Sequence, residues 1–437
     1  MASSLYALLA LVVIASFALL LLFSTQAKNQ LYIQFILLAF PLLSINILPS
    51  GFSFTLFDLL TFFFFLIFYI PKKIQFKNAG IQSILFVALF ITLVVSAWNA
   101  ETFTTDSITA FIQFFSISCF IKMVSEECIA NPIFFYKIIS ILKITLFVSL
   151  LFLVGQFIFG TNFSIARSQN SNVSGGLSTR YPSFFQDPQK YAQFLAIISF
   201  LFLIKDKFTA KITAINYALL FTTLIAIMFT GGRAAFGGWL VGMFVVTILG
   251  NAKHRINIIV VALLLIFVAY NFSENLAMFK RADIDESYQF RLSIWQDAFQ
   301  IFKQHSLIGI GLGNYASYVA LHNPDQYWIA ENEITIFDHP ESGYLKLLTE
   351  MGAIGFVLTM LLFTIPIFNA FVTYLKNKNP NILFLIASLI SWLIGFYTVY
   401  SLGDNRIRIL VATICCLLFS TYQSYDIKNA QHQQQFS

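Results

Sequence analysis

The sequence predicts an all-α, polytopic membrane protein, and three observations carry that prediction. Only 11% of its 437 residues are charged, against roughly 25% in a soluble domain. Hydrophobic residues make up 58%, with 52 Phe among them, which leaves too little polar surface to keep a soluble chain dispersed. Apolar runs recur along the chain at about the 20 residues that a helix needs to cross a bilayer. A soluble enzyme, a disordered chain and a disulfide scaffold are thereby excluded.

Taken in order, the runs are 5–23, 31–48, 55–70, 81–98, 108–124, 139–159, 190–204, 212–229, 234–249, 256–271, 350–373, 382–400 and 407–422, giving about 12–13 transmembrane helices. The first reads as a span and not a cleavable signal, because no Lys or Arg precedes it and no clear cleavage site follows its 19 apolar residues. Ten spans fall in 1–271, which also holds an outer loop at 160–189. A large loop, predicted to be helical, fills 272–349, and the last three spans lie in 350–437. Cys415 and Cys416 are adjacent in an apolar run and Cys119 and Cys128 lie in or near another, so all four read as small membrane residues.

The connections sort by charge. Lys28, Lys72, Lys73, Lys77, Lys122, Lys137, Lys143, Lys205, Lys207, Lys211, Lys253, Arg255, Lys376, Lys378 and Lys428 stand against Glu126, Glu127, Asp206 and Asp426, a balance of +11. The other set holds 11 cations and 16 acids, or −5, and the two together give the net +6. The positive-inside rule makes the first set cytoplasmic, with the N-terminus outside and the C-terminus inside. The net charge therefore reports topology and not a nucleic-acid partner. The inner set is 14 Lys and one Arg, while the outer set is seven Arg and four Lys. Any cation satisfies topology, but the planar fork of Arg suits phosphate and carboxylate. The outer arginines point to an anionic ligand, with pairing to the outer acids as the alternative.

The two long connections are both outer, and long loops in compact proteins are usually functional. No Walker or dinucleotide fingerprint occurs, and Gly309-Ile-Gly-Leu-Gly313 reads as a flexible turn. Leu292, Trp295, Phe299 and Phe302 recur at helical spacing, flanked by Arg291 and Lys303. That helix would lie on the membrane surface, cap a cavity, or pack on a small core of the loop's own. Asp58 falls near an outer helix end, and Lys143 near an inner end from which it could snorkel. No span carries an acid–base chain of the kind many proton-coupled transporters use, and no repeat relates the halves.

Three segments resemble the bacterial O-antigen ligase and polysaccharide polymerase superfamily. They are Arg180-Tyr-Pro-Ser-Phe-Phe-Gln-Asp-Pro-Gln-Lys-Tyr-Ala192, Thr230-Gly-Gly-Arg-Ala-Ala-Phe-Gly-Gly238, and the large loop from Arg291-Leu-Ser-Ile-Trp295 through Gly309–Asn314 to Glu341-Ser-Gly-Tyr-Leu345 and Glu350-Met-Gly352. The resemblance covers roughly 180–360, and it rests on the order, spacing and shared sidedness of the three. It implies a fold of the membrane glycosyltransferase C type and a glycan donor on an undecaprenyl diphosphate carrier. It implies chemistry outside the membrane without nucleotide or metal. The partners it implies are the bilayer, a glycan or lipid A core acceptor, and a chain-length regulator as a candidate.

The site residues follow from the resemblance and from chemistry. Arg180, Arg233 and Arg291 are candidates to clamp the leaving diphosphate, whose charge grows as the glycosidic bond breaks. Asp187 is the alternative partner for Arg180, and interface anchoring the alternative for Arg233. Two glycines precede Arg233 and Gly237 and Gly238 follow it, which would let a ligand approach the backbone. The acceptor hydroxyl needs a base. Ligases of this superfamily commonly place a His where this chain has Glu341, nine residues before Glu350, and His339 lies two residues earlier. His339 or Glu341 is therefore the candidate base. The alternatives are a helix cap for His339 and a first-turn helix-dipole contact for Glu341. Tyr344 is a candidate to stack on sugar or to anchor at the interface. Arg406 and Arg408, with Asp404, read as headgroup anchors first and substrate contacts second. The departure at Glu341 suits a polymerase better than a ligase. Ligation to lipid A core or to a protein is the close rival, and transport of a lipid-linked glycan the distant one.

Overall fold

The computed structural model describes residues 2–47, 53–70, 81–102, 104–165, 179–204, 213–272, 278–279, 284–322, 327–330, 333–336 and 339–434. Lys72, Lys73, Lys77, Lys205, Asp206, Lys207 and Lys211 of the charge argument, and 166–178 of the first outer loop, lie outside the described residues.

A helix occupies each predicted apolar run. In chain order these are α1 (Ala2–Phe23), α2 (Lys28–Leu38), α3 (Leu56–Phe64), α4 (Ile81–Trp98), α5 (Thr105–Ala130), α6 (Pro132–Phe159), α7 (Pro188–Ile198), α8 (Thr213–Thr230), α9 (Arg233–Leu249) and α10 (Ala252–Phe272). After the large loop come α13 (Gly343–Asn377), α14 (Pro380–Phe396) and α15 (Asn405–Gln434). Among the described residues, six helices are long and apolar enough to cross a membrane, and the chain is an all-α polytopic membrane protein.

Three predicted spans are broken helices. Past α2, Pro41 sits in a 3₁₀ turn at Phe40–Leu42; α3 passes into a π turn at Phe65–Tyr69, and α7 into a 3₁₀ turn at Ser199–Leu203. Irregular backbone survives at membrane depth only when protein shields it. Phe40, Phe200 and Leu201 of the two 3₁₀ turns are fully buried, whereas Leu66 and Ile67 of the π turn are exposed.

The tightest crossing in the bundle joins α9 and α14. A Cβ at Gly238 would stand 2.2 Å from the Ser391 carbonyl oxygen, and one at Gly242 2.9 Å from that of Ala387. Small residues four apart let two backbones touch, the usual basis of helix contact in lipid. Asp58 sits where the sequence placed it, closing a capping box with Thr55 at the start of α3. Lys143 does not snorkel: it is buried in α6 and its Nζ donates to the Ile204 carbonyl at 2.7 Å.

The large loop folds onto one end of the bundle as α11 (Ile284–Gln304), α12 (Tyr315–His322) and a hairpin of β1 (Tyr327–Ala330) with β2 (Glu333–Ile336). The hairpin departs from an all-helical loop, and its composition explains it, since Ile329, Ile334, Thr335 and Ile336 are β-branched. On α11 the buried stripe is Ile294, Ala298 and Ile301, one residue off the predicted face. Ala298 and Ile301 join Ile310, Tyr315, Tyr318 and Val319 in a small separate core, whereas Phe299 stays exposed beneath Lys303. The Gly309–Gly313 run is no flexible turn. Ile310 and Gly311 donate to the carbonyls of Thr349 and Glu350 at 2.9 and 3.0 Å. There α13 kinks at Gly352, where φ is +65° and a Cβ would lie 2.3 Å from the Leu307 carbonyl oxygen.

Candidate functional site

The start of α13 organises the site. Ser342 caps the helix by accepting from the Leu345 amide at 3.5 Å, so neither His339 nor Glu341 is needed as a cap. Glu341 instead adopts a left-handed backbone, φ +49°. A non-glycine residue pays on the order of 1–2 kcal/mol for that conformation, and such outliers concentrate at functional sites.

Three candidates converge here. Glu341 Oε2 lies 3.6 Å from Arg291 Nη2, and Glu341 Oε1 lies 3.7 Å from His339 Nε2. All three side chains keep partial exposure. The His339 ring lies 5.9 Å from that of Tyr400. Below them Lys346 Nζ pairs with Glu350 at 2.9 Å and faces the rings of Tyr400 and Tyr315 at 5.1 and 5.7 Å. Glu350 is 1% exposed and also accepts from the Tyr315 amide at 3.2 Å. Burial, with Asp297 and Glu350 nearby, pushes the Tyr315 phenol up.

Tyr344 is spent on packing. Its hydroxyl donates to the Leu393 carbonyl at 2.6 Å and its ring meets Phe396 edge-on at 5.3 Å. On the same side Trp295 of α11 meets Tyr397 at 5.4 Å.

Arg180 and Arg233 are brought together at the turn between α8 and α9. Arg180 is 6% exposed and donates from Nε to the Thr230 carbonyl at 2.8 Å, against the turn that presents Arg233 at the head of α9. Ser183 holds the Arg180 segment on α6, exchanging two 2.8 Å hydrogen bonds with the Gln156 amide. Asp187 caps α7 through the Gln189 amide. Near its end α14 accepts two side-chain hydrogen bonds, from Gln193 of α7 at Gly395 and from Tyr344 of α13 at Leu393.

Residues 218–360 match the family described as O-Antigen ligase. The match, over about a third of the chain, supports a relation to the O-antigen ligase and polysaccharide polymerase superfamily. The matched stretch contains Arg233, Arg291, His339, Glu341 and Tyr344, and leaves Arg180 outside. No curated protein matches the chain. That match supports a membrane glycan-processing function.

Several polar residues near the site do not follow from the sequence pattern. Lys346 and Glu350 gave a signal, a charged pair four apart at the head of an apolar run. Tyr400 gave none. Arg406 is not a headgroup anchor: it is 2% exposed, pairs with Asp404 at 2.6 Å, donates to the Phe184 carbonyl at 2.7 Å and lies 4.1 Å over the Phe185 ring. Burial works to raise the Asp404 carboxyl, but the Arg406 charge and hydrogen bonds outweigh it and hold Asp404 below the usual carboxylate range. Arg408 donates to Gln113 and to the Leu402 carbonyl. Among the described residues no three His, Cys, Asp or Glu side chains group as metal ligands.

Proposed function

We propose that this protein polymerises glycan repeat units, moving a growing chain from its undecaprenyl diphosphate carrier onto a carrier-linked acceptor at the outer face of the inner membrane. The acceptor hydroxyl oxygen attacks the anomeric carbon, its proton passes to Glu341 or His339, and the lipid diphosphate leaves with the bonding pair. Single displacement inverts the anomeric configuration. Arg291, Arg180 and Arg233 stabilise the charge of the leaving diphosphate.

The observation that carries the reading is the convergence of Arg291, Glu341 and His339, partly exposed and resting on a strained backbone. A cation beside a candidate base is what this reaction needs, since the charge that must be neutralised develops next to the proton that must be removed. Ligation onto lipid A core would use the same groups. Chain deletion followed by gel analysis of surface glycans separates the two. Single repeats attached to lipid A mark a polymerase; polymer left on its carrier, with no attached glycan, marks a ligase. Arg233→Ala is expected to abolish chain extension at normal protein levels. Chains of wild-type length in that variant would remove Arg233 from the mechanism.

A further inference from the structure

The face of α11 that periodicity singles out is not the one the fold buries. Ile294, Ala298 and Ile301 are buried, whereas Leu292, Trp295, Phe299 and Phe302 form a flank beside them that is half-buried or exposed. At 3.6 residues per turn that flank covers about 80° of the helix surface. Beyond it comes Lys303, and then a polar row of Gln296, Gln300 and Gln304, all exposed and four residues apart. The order around the helix is therefore buried, apolar, cationic, polar. Lys303 Nζ lies over the Phe299 ring, 4.8 Å from its centre.

Both ends of the flank run into apolar surface on neighbouring helices. Past α11, the Ser306 and Leu307 carbonyls accept from the Ala353 and Ile354 amides at 2.8 and 3.2 Å. Ile354 opens an exposed apolar row on α13, continued by Val357, Leu361 and Phe368. That helix is long and apolar enough to cross a membrane, so the row faces lipid. Leu307, 65% exposed, is thereby pinned beside its first residue. At the other end Trp295 meets the ring of Tyr397, which follows Ile394 by three residues on the exposed side of α14.

We propose that α11 is an interfacial helix, which seats Phe299, Phe302 and Leu307 on the bilayer lipid of the leaflet nearest the large loop. A contiguous exposed apolar surface marks a contact, and here the lipid that covers α13 and α14 is the cover already at hand. A helix lying in that plane keeps its polar row in water. It sets a lysine at the border, with the stem along apolar surface and the ammonium among the headgroup phosphates. Arg291 stands one turn from Trp295 on the same helix, so the lipid contact fixes its height above the leaflet. The contact itself does not rest on the polymerase reading.

The test uses full-length protein in lipid nanodiscs, with nitrobenzoxadiazole on a single introduced cysteine. The quencher is phosphatidylcholine brominated high on its acyl chain. Phe299→Cys and Leu307→Cys should each lose at least about half their emission, and so should Val357→Cys on the lipid-facing row of α13. Gln300→Cys should keep its emission. Unchanged emission at 299 or 307 would overturn the proposal, since protein or water would then cover the flank. Equal quenching at 300 would overturn it too, because an immersed helix has no polar side. An apolar label can draw itself into lipid, so a second measurement replaces Phe299 by benzoylphenylalanine, which keeps the native ring. Ultraviolet light should then join position 299 to phospholipid. Crosslinks to protein alone, whether a second copy or another chain, would overturn the assignment of lipid as the partner.

Discussion

Glu341 makes an unusual residue-scale prediction, because its backbone and its carboxylate pull in opposite directions. At φ +49° glycine is more comfortable than glutamate. Glu341→Gly should therefore raise stability by about 1 kcal/mol, seen as a higher melting temperature, provided the ion contact to Arg291 is weak as exposed pairs are. The same change should lower chain extension by roughly 10²–10⁴-fold if the carboxylate is the base. Wild-type turnover in Glu341→Gly would pass the role to His339, and His339→Ala would then carry the loss. Asp404 gives a second prediction. Asp404→Asn leaves Arg406 buried without its partner and should cost about 3–5 kcal/mol. Because the folded Asp404 carboxyl sits below its ordinary value, its contribution is present above that ordinary value and is lost as pH falls through the lowered one. Acid unfolding of Asp404→Asn should lack that component. Sequence could place Arg406 and Asp404 at a span boundary but not bury them, since the Phe184 carbonyl and the Phe185 ring that close over the guanidinium come from a loop far away in the chain.

At the scale of elements, the helices were legible because length and apolarity alone demand them. Their breaks were less so, because a 3₁₀ turn after α7 depends on which neighbours cover the backbone. The buried α11 face lies one position from the predicted one, because Ala298 and Ile301 face a core assembled from α12 and the glycine run, which periodicity does not show. That glycine run couples the loop to the bundle. Gly352→Ala would force an L residue to φ +65° with its Cβ against the Leu307 carbonyl. We expect a loss of at least about 1–2 kcal/mol from the backbone alone. Chain extension should fall with it, because the same joint fixes Glu350 and thus Lys346 under the candidate base. Retained activity and stability would show that α13 can straighten without cost. Gly238→Leu should do more damage, since α9 would have to leave the Ser391 backbone; the expected readout is loss of folded protein from the membrane fraction.

For the whole molecule, sequence supplied a sidedness from charge, and the structure supplies two ends on which to test it. The large loop covers the end where α13 begins, and α13 finishes at the other. Ser306 and Asn377 are both exposed, one at each end. Native background is low, since Cys119, Cys128 and Cys416 are buried and Cys415 lines an apolar cavity inside the bundle. Ser306→Cys should react with a membrane-impermeant maleimide added to cells whose outer barrier has been opened. Asn377→Cys should react only after the inner membrane is lysed. The physical reason is the cost of moving cations outward: the lysines on the Asn377 side, Lys376 and Lys378 among them, are expected to keep that end in the cytoplasm. The opposite labelling pattern would put Arg291, His339 and Glu341 in the cytoplasm. The proposed donor, presented at the outer face, could not reach them there, and the polymerase reading would fall with the topology.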